Sequence, residues 1–332
     1  MSKISYKKAG VDIRKADKLV RWIKTNNSGS VSSLGSDYAS LHALDFSSYK
    51  QPVLASSTDG VGTKIELAKY FSSWEGIGQD LLAMCLNDLI CVGAKPLFFL
   101  DYYACGQLHL SQAKAFLKGL KKACDKANCS LVGGETAELP GFYKDSNIDL
   151  AGFCVGIVEK SKILKASLVR KGDDIVAFKS SGFHSNGYSL LRKLYKSDSD
   201  LKKNKKILLE PTRLYSFLVP VLNQIKNLRA MAHITGSGLD NLSRILPNHL
   251  TAELKAWSIP SCFLDVKKRS ALSWKEMLKI FNCGLGLVLI LKDKKVLYDL
   301  FPQKDIISLG KVRASSQRKA WNLNFKDLNS LN

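Results

Sequence analysis

The stretch Thr58-Asp59-Gly60-Val61-Gly62-Thr63-Lys64 does most to limit how this chain can fold. An extended apolar run at residues 52–57 precedes it and a helical run at residues 65–71 follows. One carboxylate, two glycines, two hydroxyls and a lysine therefore gather at a strand-to-helix corner. Such a corner can point backbone N–H groups at a ligand, and Gly60 and Gly62 let the backbone approach it closely. Asp59 suits a divalent cation and Lys64 a phosphate. The same residues also describe a tight turn whose Asp caps the next helix, so spacing alone leaves two readings open. It is not a P-loop, because G-x-x-x-x-G-K-[ST] occurs nowhere in the chain.

The pattern of strand, glycine-rich corner and helix recurs. Residues 17–23 have the period of a short amphipathic helix, and residues 25–40, rich in Ser, Gly and Asn, read as a mobile loop. Residues 78–92 are helical in period and stop at Gly93 and Pro96; Asp80 and Asn87, seven apart, share a face, with Asp88 beside them. A buried strand is expected at residues 97–100, a helix from Ser111, and a strand at 129–132 that runs into a Gly-Gly-Glu loop at residues 133–141. Residues 149–158 form another strand candidate, and the polar, basic stretch 161–171 marks a boundary between domains at 1–165 and 166–332. In the second half, strands at 175–178, 231–234 and 287–291 adjoin Ser/Gly corners at 180–187, 235–238 and 281–286. This mixed order predicts an α+β protein of two α/β-mixed domains rather than a regular βαβ series.

Three acidic positions fall at element ends: Asp59, Asp88, and Glu135 with Glu138. Magnesium takes hard oxygen ligands while bridging phosphates, so carboxylates converging from separate elements suit it. Solvated side chains on a helix end and a loop are the plainer alternatives for Asp88 and the two glutamates. Residues 180–187 offer three hydroxyls, His184 and Asn186 at a helix start, as an anion nest or a Ser-rich capping turn, and residues 235–238 pose the same choice. His184 and His233 are candidate proton carriers, or structural histidines. No G-x-S-x-G occurs. The chemistry points to a magnesium-dependent enzyme acting on phosphorylated substrates.

The chain has 332 residues, enough for two domains each with its own core. No apolar run approaches the roughly 20 residues of a spanning helix and residues 1–10 are polar, so the expected compartment is the cytoplasm, with no membrane partner. The eight cysteines contain no C-x-x-C pair, and Cys85, Cys91, Cys124, Cys154 and Cys283 lie in apolar surroundings as reduced packing residues. The formal charge is +21, and its excess lies in the second half: 29 Lys and Arg against 13 Asp and Glu, compared with 21 against 16 in residues 1–165. No nucleic-acid motif accompanies it and no aromatics interleave the lysines at 202–206, which reads as a solvated basic face.

Taken together the motifs resemble the phosphoribosylformylglycinamidine cyclo-ligase (aminoimidazole ribonucleotide synthetase) family. The blocks that carry the resemblance lie in residues 5–13, 59–64, 84–89, 93–102, 133–141, 180–190, 211–213, 231–238 and 281–286, in the family's order. The resemblance implies a homodimer whose N-terminal-domain strands form a barrel at the interface. It also implies ATP-driven closure of formylglycinamidine ribonucleotide to aminoimidazole ribonucleotide, with ATP and Mg2+ bound. Carried over by position, Asp59 and Asp88 stand as magnesium and ATP-phosphate residues, Lys64 as a phosphate partner and Lys24 in a segment over the nucleotide. Gly60, Gly62, Thr63 and Asn87 belong to the same nucleotide group. Chemistry adds Glu135 to the metal set, His184 to Asp59 and Lys64 as catalytic residues, and Ser181, His184, Ser185, Asn186, Thr235 and Gly236 around the ribonucleotide substrate. Two departures stand out. A glycine-rich run is reduced to Gly35 within residues 33–40, and a Gly-Gly-Gly becomes Gly236-Ser237-Gly238. Other ATP-using relatives, such as selenophosphate synthetase or thiamine-phosphate kinase, and a non-catalytic nucleic-acid binder are the alternatives. A reactive N-terminal Cys would mark the first of these, and the first Cys here is Cys85.

Overall fold

The computed structural model describes residues 10, 12–26, 39–144, 146–316 and 319–331, without the side chains of residues 24 and 26. The expectations for Lys24, for residues 5–9 and for most of the glycine-poor run at 33–40 lie outside the described residues.

Helix α3 (Glu75–Cys91) is the axis of the molecule. It is apolar nearly all round, with Leu81, Leu82, Met84, Cys85, Leu86, Leu89 and Ile90 buried, as befits a helix covered on every side. One side lies on a four-stranded sheet of order β1-β4-β2-β3, formed by β1 (Pro52–Gly60), β2 (Lys95–Cys105), β3 (Ser130–Glu138) and β4 (Ile148–Glu159). β4 pairs antiparallel with β1 and β2, and β2 pairs parallel with β3. Helix α4 (Leu110–Lys126) packs along α3 so closely that a Cβ on Gly119 would stand 1.9 Å from Glu75 O. Helices α1 (Ile13–Asn26) and α2 (Lys64–Tyr70) complete this half. The sequence placed a loop at residues 133–141; its first six residues instead extend β3, because their backbone pairs with residues 100–105.

The second half is built on a six-stranded sheet of order β10-β7-β9-β5-β8-β6. Its strands are β5 (Asp174–Lys179), β6 (Leu228–His233), β7 (Leu250–Leu254), β8 (Leu285–Leu291), β9 (Ile306–Ala314) and β10 (Trp321–Leu323). All seven residues of β8 are buried, as a central strand with both faces covered requires. Alternation along the strands sends Val176, Phe178, Met231, Leu287 and Leu289 into a core shared with α3. Ile175, Ala177, Ala232, Val288 and Ile290 face a second core with Phe183, Phe263 and Met277. Helices α5 (Tyr188–Leu194), α6 (Asp198–Leu209), α7 (Ser261–Ser270), α8 (Trp274–Ile280), α9 (Lys295–Leu300) and α10 (Phe325–Leu331) surround the sheet. A 3-10 helix, Ser216–Gln224, lies against α3. The architecture is thus α+β in two mixed halves joined by a shared apolar core. Among the described residues the four-stranded sheet of one chain is open and forms no closed barrel.

Among the described residues no helix is long and apolar enough to cross a membrane. The cysteines are free thiols; Cys85, Cys124, Cys154 and Cys283 are buried, as expected of packing residues, and Cys91 is half-buried.

Candidate active site

The corner at residues 58–64 does not form the helix cap that was its simpler reading. Asp59 lies in β1 and its Oδ1 accepts the N–H of Gly60 at 2.7 Å, while Thr63 holds the cap position of α2 with no side-chain capping bond. Gly62 turns the chain at φ +69°, and space is open where a side chain would project. The corner therefore keeps an accessible carboxylate beside an open glycine turn.

Four further segments close around it. Thr63 Oγ1 meets Ser189 Oγ at 3.2 Å, at the start of α5. From α3, Asp88 Oδ1 lies 3.0 Å from His233 Nδ1 at the end of β6, and Asn87 Nδ2 lies 3.3 Å from His233 Nε2. Past His233 the chain leads to Thr235, half-buried, and Gly236, exposed, whose Cα side faces Asn186 Oδ1. Burial raises the Asp59 carboxyl pKa; the Gly60 N–H pulls it down, the Asp88 charge pushes it up and His233 lowers it. A half-buried carboxylate whose ionisation a second carboxylate disfavours, beside a histidine and open backbone, belongs to a donor set that a hard cation would relieve.

Other expected residues have different surroundings. Lys64 is fully buried: its Nζ lies 2.9 and 2.8 Å from the two oxygens of Asp80, 3.2 Å from His184 O and 2.7 Å from Glu210 O. An ammonium has three protons, so none is left for a phosphate, and the reading of Lys64 as a phosphate partner is corrected on that ground. Asn87 is likewise enclosed, accepting Tyr215 N–H at 3.0 Å and donating to Arg213 O at 3.0 Å, so it secures the second half rather than a nucleotide. Glu135 is exposed on β3 and its row runs through Tyr102 and Ala151 to Gly60, so two strands intervene. At ordinary strand spacing that separation is about 14 Å, too far to share one ion with Asp59 in a single chain. Glu138 accepts Leu108 N–H at 2.7 Å and Asp12 N–H at 2.9 Å, a structural use. No group of three or more His, Cys, Asp or Glu able to hold a metal occurs among the described residues.

The residues expected around the substrate divide. Ser181 Oγ donates to Pro211 O at 2.6 Å, and Ser181 lines a 770 Å³ groove between the two halves with Lys95, Lys126 and Arg213. Ser185 is turned inward to Asp80 (3.1 Å) and Thr212 (3.0 Å). His184 is buried at φ +60°, and its Nε2 accepts Ser181 N–H at 3.3 Å, which puts the ring proton on Nδ1. Burial first, and then the positive charges of His233, Lys64 and Arg213, hold its pKa well below the usual imidazole range. It is neutral at pH 7 and fully enclosed, which favours the structural one of the two readings left open for it. Among the described residues, the buried Nδ1 of His184 and Nδ2 of Asn186 have no partner.

Sequence reasoning named Asp80 only as sharing a face with Asn87 and Thr212 only within residues 211–213, and gave no role to either or to Glu210. A charged residue inside the most apolar helix of the chain was the available signal, since such a group is buried only with partners. The basic run 202–206 forms part of α6, where Lys202 pairs with Asp198 at 2.7 Å and Lys205 lies over the Phe71 ring at 5.3 Å.

Both halves match models of AIR synthase related proteins, the N-terminal domain over residues 37–158 and the C-terminal domain over residues 170–318. Solved structures share the fold at low identity. HypE, a hydrogenase maturation protein, in complex with ATP has a TM-score of 0.70 at 14% identity, covering 93% of this chain and 92% of that one. Thiamine-monophosphate kinase from Stenotrophomonas maltophilia has a TM-score of 0.64 at 18% identity, covering 92% and 95%. The fold and site thus define an AIR-synthase-related protein. Curated relatives narrow this further. A phosphoribosylformylglycinamidine cyclo-ligase of Coxiella burnetii is 47% identical over 308 residues, 88% of this chain and 87% of that protein. One of Lawsonia intracellularis is 43% identical over 309 residues, 88% of each. The chain belongs to the phosphoribosylformylglycinamidine cyclo-ligase family.

Proposed function

We propose that this protein is an ATP-dependent cyclo-ligase of purine biosynthesis, acting in the cytoplasm. It closes formylglycinamidine ribonucleotide to 5-aminoimidazole ribonucleotide and releases ADP and phosphate. The observation that supports this most is the meeting of Asp59, Asp88, the Gly60–Gly62 turn and the residues 233–236 corner at the junction of the two halves. The alternatives fare less well. HypE and thiamine-monophosphate kinase share only the fold with this chain, and the lysines of α6 are partly engaged within the chain rather than presented as a nucleic-acid surface.

The chemistry needs charge control and alignment more than covalent participation. An amide oxygen leaves poorly, so the formyl oxygen first takes the γ-phosphoryl group of ATP. The substrate's own amidine nitrogen then attacks the formyl carbon, the C–O bond breaks, and the oxygen departs with phosphate. Asp59 and Asp88 would hold Mg2+, which neutralises phosphate charge when bound. The open turn at Gly62 and the Thr63 hydroxyl border the phosphate end. His233 fixes the orientation of Asp88, and Asn186, Thr235 and Gly236 border the ribonucleotide. The unpartnered Nδ2 of Asn186, beside Gly236, supplies a hydrogen bond for an acceptor on the ligand.

The same reading includes a homodimer. Leu54 and Phe153 are 57% and 45% exposed on the side of the four-stranded sheet away from α3, where a second copy's strands would close a barrel. The direct test mixes purified protein with formylglycinamidine ribonucleotide, ATP and Mg2+ and follows the aminoimidazole amine. ATP consumption without cyclised product counts against the proposal.

A further inference from the structure

The two halves of the site belong to different domains, so their register must be set by something other than the ligand. Lys64 is the first residue of α2, two residues after the open turn at Gly62, and none of its surface is exposed. Its ammonium reaches Asp80 of α3 in its own half and two carbonyls of the other half, His184 O at 3.2 Å and Glu210 O at 2.7 Å. The Asp80 carboxylate, in turn, takes Thr212 N–H at 2.8 Å, Thr212 Oγ1–H at 2.6 Å and Ser185 Oγ–H at 3.1 Å, all from the second half. Tyr188 covers the ammonium, with its ring centroid 5.5 Å away. His184 reaches into this cluster in a left-handed conformation, φ +60°, which a non-glycine residue adopts only when its surroundings hold it there.

The chain alternates at this point. Thr212 turns in to Asp80 while Glu210, Pro211 and Arg213 line the interdomain groove, so the Lys64–Asp80 pair sits behind the groove and meets its wall at Glu210. A purely structural ion pair would need only one partner. Here one ammonium and one carboxylate together engage Ser185 and Thr212 and the carbonyls of His184 and Glu210.

We infer that Lys64 and Asp80 are positioning residues: a buried interdomain latch that holds the Asp59–Thr63 corner in register with the 184–189 and 210–213 segments. Neither residue touches ATP or the ribonucleotide. The assignment rests on the cyclo-ligase reading for its consequence in turnover, and on geometry alone for its consequence in structure. Removing Lys64 leaves the Asp80 carboxylate buried among donors that no longer balance it, and the second half shifts relative to the corner. A displacement near 1 Å between reacting groups costs about a hundredfold in rate.

The test compares the parent with Lys64→Met, Asp80→Asn and the Lys64→Met/Asp80→Asn double variant, which leaves no unpaired buried charge. ATP-analogue affinity, kcat and KM are measured well below each variant's unfolding temperature, with hydrogen exchange of residues 184–187 and 210–213 alongside. The latch predicts nucleotide affinity within about threefold of the parent, kcat lower by about a hundredfold in Lys64→Met, and recovery of about tenfold in the double variant. It also predicts faster exchange in both segments of each single variant. If Lys64→Met does not fold, Asp80→Asn and the double variant decide by the same criteria. Nucleotide affinity that falls in step with kcat in the double variant would make Lys64 a direct phosphate ligand and overturn the latch. Parent-like kcat or unchanged exchange in Asp80→Asn would overturn it too. A parent with no cyclisation activity points to failure of the functional reading, and exchange still decides the latch.

Discussion

Asp101 offers a test of the first half's core that is independent of activity. It sits in β2, 7% exposed, on the side of the sheet that faces the helices, and among the described residues the contact that favours its charged form is its own backbone N–H. Gly134, its neighbour on β3, leaves the room it needs: a Cβ there would lie 2.3 Å from Asp101 Oδ1. Burial raises the carboxyl from 3.8 to about 7. The sign follows from proton counting. Between those values the folded protein keeps a proton that the unfolded chain has released, so raising the pH favours unfolding. The stability associated with the protonated carboxyl is complete below pH 4, declines between pH 4 and pH 7, and is gone above that. Roughly three pH units at about 1.4 kcal/mol each set an upper limit of about 4 kcal/mol. Asp101→Asn resembles the protonated acid in shape and charge. Urea unfolding of the variant and the parent at pH 4.5 and pH 8 checks this. The variant should match the parent within about 1 kcal/mol at the lower pH and exceed it by about 2–4 kcal/mol at the higher. An equal difference at both pH values would mean that Asp101 ionises normally, and the reasoning from burial would fail.

Three further outcomes are expected. Gly119→Ala forces a methyl into the contact with Glu75 O, prises α4 from α3 and lowers stability by on the order of 2 kcal/mol or more in chemical denaturation. Ser237 stands at φ +74°, so Ser237→Gly should relieve strain and stabilise by about 1 kcal/mol, read as a rise in the urea midpoint at unchanged slope. Phe153→Asp places a charge on the open sheet face and should convert a dimer to a monomer in light scattering, leaving the far-ultraviolet circular dichroism as it was; a dimer that persists would place the interface elsewhere.

Much of the fold was legible because period and glycine corners report local structure directly. β1, the helix after it, α3, and the strands beginning near residues 97, 149, 175 and 287 follow from alternation and apolar runs. The strand at residues 133–138 did not, since Gly-Gly-Glu-Thr disfavours strands and its pairing with β2 comes from the fold. The 3-10 helix Ser216–Gln224 was missed because Pro220 interrupts its pattern. In the site, Asp59, Asp88 and the 235–236 corner were readable as polar groups at element ends, and the structure draws Asp59, Asp88 and that corner together. Lys64 was misread for a physical reason. A lysine beside glycines resembles a phosphate ligand, and only the fold shows that Asp80, sixteen residues on, takes its charge. Ser237 adopts a left-handed turn where the resemblance implies a glycine, and it is exposed.

If this site activates the formyl oxygen by phosphorylation and lets the substrate close on itself, that oxygen must leave with the phosphate. The most direct measurement uses formylglycinamidine ribonucleotide carrying 18O in the formyl group, with ATP, Mg2+ and the purified protein, and mass analysis of the released phosphate. One labelled oxygen is expected in each phosphate, released in equal amount with aminoimidazole product, with loss of both in Asp59→Asn. Unlabelled phosphate, with the label passing into water, would contradict that route.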